Sequence, residues 1–120
     1  METVAFISTE TTDDLIVSFA VCAKDDPSQI KSLTLLRTPK YEQFFEDSER
    51  GVQVSFECDD DEDDLLKEVY FDEPSAIVLL TTQLRTYELD VRKVEADDLK
   101  TMSAVLRRMN FDNRIQLAGI

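Results

Sequence analysis

Apolar and polar residues alternate with period two along most of this chain, the pattern of strands that bury one face. Val52, Val54 and Phe56 against Gln53, Ser55 and Glu57 form the cleanest stretch, and the apolar positions are rich in the β-branched and aromatic residues that suit a pleated surface. The alternation predicts strands at Thr3–Thr9, Leu15–Ala23, Ile30–Arg37, Val52–Glu57, Leu65–Phe71, Ala76–Thr81 and Arg85–Val91. Between them, Thr11-Thr12-Asp13-Asp14, Asp25-Asp26-Pro27-Ser28 and Asp72-Glu73-Pro74-Ser75 supply turn chemistry from Asp, Ser and Pro.

The period changes once, near the end. Leu99, Met102, Leu106 and Met109 fall on one helical stripe with Val105 beside it, which predicts an amphipathic helix over Ala96–Met109 lying on the sheet. Glu95, Asp97 and Asp98 crowd its first turn and Arg107 and Arg108 its last, as the helix dipole favours, and Asn110 is suited to the left-handed conformation that ends a helix. Asp112-Asn113 then reads as the turn that sends Ile115-Gln116-Leu117 back along the sheet edge.

A shorter helical turn is expected at Thr38-Pro39, with Thr as cap and Pro at the first helical position. Tyr41, Phe44 and Phe45 would share one face of it. Two readings compete there: aromatics plugging the open end of the sheet, which is the commoner use of adjacent phenylalanines, or anchors at an interface.

Short connections without long crossovers favour antiparallel pairing, so the expected fold is a single α+β domain over residues 1–120: a curved antiparallel sheet of six to seven strands, in the extreme a partial barrel, with one C-terminal helix. One helix cannot cover both faces, yet Leu15–Ala23 and Ala76–Leu80 are apolar on both. Curling of the sheet on itself is the favoured solution and a sheet-to-sheet homodimer the other.

Composition narrows the chemistry. The 120 residues contain no His and two Gly, Gly51 and Gly119, which excludes the dinucleotide fingerprint and the P-loop and removes the commonest general base and zinc ligand. The serines therefore have no histidine to activate them, and the acidic residues fall mostly in turns, where carboxylates stay ordinary; no enzymatic activity and no cofactor are expected. No uninterrupted apolar run, Ala76 to Leu80 included, exceeds five residues, against about 20 residues for a membrane span, and Met1-Glu2-Thr3 has no basic character, so a cytoplasmic location is expected. Cys22 and Cys58 then read as inert thiols.

The net charge of −13 is unevenly placed: residues 41–80 hold 14 acidic and two basic residues, while the flanking thirds are close to neutral. Its densest point is Asp59-Asp60-Asp61-Glu62-Asp63-Asp64, expected as the loop of a hairpin, with six carboxylates that repel one another and stay in water. Such a surface repels nucleic acid and anionic membrane alike, so neither is expected as a direct partner. A dedicated calcium loop starting at Asp59 would need Gly where Asp64 stands and Glu where Tyr70 stands.

Two uses of the run remain beside simple solubility. The leading one is capture of a basic protein surface, as an acidic inhibitor, immunity-type protein or DNA mimic would do, with Asp59, Asp60, Asp61, Glu62, Asp63, Asp64, Glu46, Asp47, Phe44 and Phe45 as the partner-binding residues. The competing one is a small-ligand or divalent-metal-binding domain. The basic residues of the last third, including Arg85, Arg92, Lys93 and Arg114, read mainly as solvated pairs. The segments Leu36–Tyr41 and Asn110–Arg114 are distinctive in composition, and the sequence attaches no chemistry to either.

Overall fold

The computed structural model describes residues 1–23, 26, 28–57 and 64–120. Eight strands, β1 (Glu2–Thr11), β2 (Leu15–Cys22), β3 (Ile30–Arg37), β4 (Gln53–Phe56), β5 (Leu66–Asp72), β6 (Ile77–Thr82), β7 (Thr86–Asp90) and β8 (Gln116–Ala118), form one sheet in the order β4-β3-β2-β1-β7-β6-β5-β8. The helix α1 spans Ala96–Met109, the range that its stripe predicts.

The sheet is mixed rather than purely antiparallel, and it has eight strands rather than six or seven. Two antiparallel blocks, β1–β4 and β5–β7, are joined where Glu2 and Thr3 run parallel to Leu89 and Asp90. After α1 the chain returns and β8 pairs in parallel with Glu68–Tyr70 of β5. Period-two alternation reports which face a residue occupies and is silent about the direction of its neighbour, so both parallel pairs escape it.

Two irregularities set which residues point inward. The register shifts between Val4 and Phe6 of β1 and between Leu66 and Glu68 of β5. One extra residue moves the alternation by one, so Val4 and Ile7 are both buried, as are Leu66 and Val69, while Phe6 and Lys67 face out.

Inward residues of every block meet Met102, Val105, Leu106 and Met109 of α1 in one hydrophobic core. Phe56 of β4 meets Tyr87 of β7 edge to face, with centroids 5.9 Å apart, so strands four places apart in the sheet touch across the interior. The sheet nevertheless does not close into a barrel. Among the described residues β4 meets the start of β5 at one bridge, Gln53 with Leu65, and farther along β5 its edge is paired with β8.

The outer face carries a polar row, Ser8–Ser18–Thr34–Ser55, across β1 to β4, and Ile16, Ile77 and Leu79 are only half-buried there. Bending of the sheet and the serines and threonines of that row leave less apolar surface to cover than the sequence pattern implies.

Candidate functional site

Arg37 is the last residue of β3, on the same inward parity as Leu33 and Leu35, and is 1% exposed. A guanidinium taken out of water must satisfy five N–H donors, and here all five are used. Nε and Nη2 donate to the two carboxylate oxygens of Glu42 at 2.7 and 2.8 Å, and Nη1 and Nη2 donate to the two oxygens of Asp112 at 2.8 Å each. The remaining donor of Nη1 takes the carbonyl of Met109 at 2.8 Å, one of the carbonyls left without an intrahelical partner at the end of α1. Phe111 lies over the guanidinium, 4.1 Å from ring centroid to Cζ.

This fork organises the connector that follows it. The chain forms a 3₁₀ turn at Pro39–Phe44 and a second at Asp47–Glu49. The first begins at Thr38-Pro39 as expected, but the Thr38 hydroxyl caps nothing and donates to Asp14 at 2.6 Å. Arg114 holds the second turn: it donates to Asp47 Oδ1 and to Asp112 Oδ2 at 2.5 Å each, and to the carbonyl of Asp47 at 3.1 Å. Arg37, Asp112 and Arg114 thus link β3, both 3₁₀ turns and the end of α1 into one clamp.

The titration of the clamp follows from its contacts. The hydrogen bonds from Arg37 hold the Asp112 carboxyl well below the ordinary carboxylate range, against the opposing effect of burial and with further help from Arg114. For Arg37, burial alone would favour the neutral form; the hydrogen bonds to Glu42 and Asp112 and their negative charge outweigh it and hold the guanidinium ionised.

The loop after α1 is closed by Asn110, whose side chain exchanges two hydrogen bonds of 2.9 Å with the backbone of Ile115. Asn110 is not the left-handed residue, with φ −95°; Asn113 is, with φ 57°.

The aromatic residues of the first 3₁₀ turn do not plug the sheet. Glu42 takes the inward position because Arg37 requires a carboxylate there, and this turns Phe44, 75% exposed, and Tyr41, 52% exposed, out to solvent with Phe45 beside them. Phe111 is also largely exposed on its outer side. A groove of about 150 Å³ is lined by Leu36, Arg37, Tyr41, Glu42, Phe45 and Gln53. Glu46, Asp47 and Glu49 follow the aromatics directly and are exposed, while Lys40 pairs with Asp13 at 2.9 Å and lies 5.0 Å from the Tyr41 ring.

The acidic run divides. Asp59, Asp60, Asp61, Glu62 and Asp63 lie outside the described residues. Asp64 is not a solvated carboxylate: it is 4% exposed, accepts from the Thr82 hydroxyl at 2.5 Å and from the Leu84 amide at 3.2 Å, and so braces the β6–β7 turn. Among the described residues, no group of three or more His, Cys, Asp or Glu is placed to hold a metal ion.

Glu42, Asp112, Arg114 and Phe111 are the residues that sequence reasoning missed here. The signal for Arg37 lay in its parity, since an arginine in register with two core leucines must find buried acceptors. No family model matches this sequence, and no curated protein and no solved structure is significantly similar to it.

Proposed function

We propose that this protein is a non-catalytic interaction domain that docks a basic protein surface through the knuckle between β3 and β4. The observation that carries the reading is an exposed aromatic cluster, Tyr41 and Phe44 with Phe45, on a turn fixed from beneath by the bidentate Arg37–Glu42 pair. Exposed aromatic rings on a pre-ordered segment bind without a large ordering cost and are the side chains that most often dominate interfaces.

Glu46, Asp47 and Glu49 flank the rings and give the knuckle the rim that a basic partner would meet. The middle third of the chain adds to the negative charge, with 14 acidic residues in residues 41–80, and a net charge of this sign attracts basic partners at long range. Asp59–Asp63 would add to that steering through long-range attraction. Asp64 would not contact the partner directly, since its carboxylate is buried and engaged within the fold.

The test is capture of proteins at low salt by immobilised wild-type protein and by a Tyr41→Ala/Phe44→Ala variant with the same melting temperature. Basic proteins retained by the wild type, released by a salt gradient and absent from the variant are the expected result. Equal retention by both baits would remove the knuckle from the mechanism.

A further inference from the structure

We propose that a cleft beside the second 3₁₀ turn is a binding site for a small molecule carrying a phosphate or carboxylate group. The cleft has a volume of about 340 Å³, within the usual range for small-ligand pockets, and its polar lining comes from Asp47, Ser48, Arg50, Lys67, Gln83 and Arg114.

Its charge runs against that of the molecule. Residues 41–80 contain two basic side chains among 14 acidic ones, Arg50 and Lys67, and both line this one cleft. With so many carboxylates in this part of the chain, two cations would ordinarily be held in ion pairs, yet neither makes an ion pair among the described residues. The Nε of Arg50 is moreover buried and has no hydrogen-bond partner. That edge of the guanidinium is closed off from solvent, so an anion in the cleft would meet the outer Nη edge of Arg50, and the Nε–H, which belongs to the same delocalised cation, would report its arrival.

The backbone makes the placement possible. Gly51 adopts φ +141°, a conformation that side-chain-bearing residues rarely take, and the chain passes there from the 3₁₀ turn into β4 with Arg50 at the wall of the cleft. The bulge in β5 turns Lys67 outward beside it. Arg114 adds a third cation, and most of its donors are already committed to Asp47 and Asp112, so it supplies positive field and fixes one wall. A planar guanidinium edge, an ammonium, a hydroxyl and a carboxamide around one space match the oxygens of a phosphate or carboxylate.

The experiment is titration of the full chain with inorganic phosphate, adenosine monophosphate and citrate at constant ionic strength, set with sodium chloride. The readout is the Arg50 Nε–H resonance in nitrogen-15 correlation spectra. A saturable shift of that resonance with at least one probe is expected, with affinity reduced about tenfold or more in Lys67→Gln, whose exposed side chain can be changed without disturbing the core. Binding of the monophosphate and not of phosphate or citrate would identify a nucleotide-sized ligand, and binding of phosphate alone an isolated oxyanion site. No shift with any probe, or a shift equally strong in Lys67→Gln, would overturn the proposal.

Discussion

Arg37 and Asp112 stand 75 residues apart in the sequence and meet side by side, two parallel N–H···O bonds of 2.8 Å joining the end of β3 to the loop after α1. With Glu42 on the other edge of the guanidinium, the pair fixes the base of the aromatic knuckle. The exposed rings therefore depend on a buried ion network for their position.

Removing the centre of that network should be costly. Arg37→Met leaves Glu42 and Asp112 without their shared cation, and loss of one member of a buried ionic cluster costs about 3–5 kcal/mol. Urea denaturation should show a loss of that order. A loss below about 1 kcal/mol would mean that the cluster is solvated and does not hold the fold together.

The same network has a pH signature. The Asp112 carboxyl titrates below its ordinary value in the folded protein, so its ionised form contributes stability that is fully present above the unfolded value of about 4 and is lost as pH falls through the lower, folded value. Asp90, held down by its hydrogen bonds from Arg92, acts in the same direction. The stability difference between wild type and Asp112→Asn should accordingly shrink between pH 5 and pH 2 in denaturation series. A difference constant with pH would show that Asp112 acts by shape alone.

Two phenylalanines separate knuckle from core. Phe44→Ala should change stability by less than about 0.5 kcal/mol, since the ring is 75% exposed, whereas Phe19→Ala, at a position fully buried on β2, should cost about 3–5 kcal/mol. Thermal melts of the two variants check this. A large loss for Phe44→Ala would place the ring in the packing of the turn and weaken the case for an interface.

The buried Asp64 gives a further test within the fold. Thr82→Val removes the hydroxyl that donates to Asp64 and accepts from the Arg85 amide at 2.8 Å, and should cost about 1–3 kcal/mol. A neutral substitution would show that water replaces the hydroxyl without penalty.

Much of the fold is legible in the alternation of residues. The bounds of β3 at Ile30–Arg37 and of α1 at Ala96–Met109 are those that periodicity predicts, and β8 lies where the turn at Asp112-Asn113 sends the chain. The two parallel pairings and the bulges near Val4 and Leu66 are not legible, because they depend on long-range partners rather than on local pattern. The candidate site is legible only in pieces. Leu36–Tyr41 and Asn110–Arg114 stand out separately in composition, but only the fold brings Arg37 against Asp112. Counting carboxylates likewise treats Asp59 to Asp64 as one solvated run, whereas Thr82 and the turn at Leu84 draw Asp64 inside.

The most direct test of the proposed role is photo-crosslinking in a cell lysate with a reactive amino acid at position 44 and, as a control, at position 6. Both sites are exposed aromatics, but Phe6 lies on β1, separated by β2 and β3 from the β4 edge of the sheet. Discrete adducts from position 44 that fade as salt is raised, with none from position 6, are the expected result. Equal labelling at both positions, or none at position 44, would contradict the proposed role.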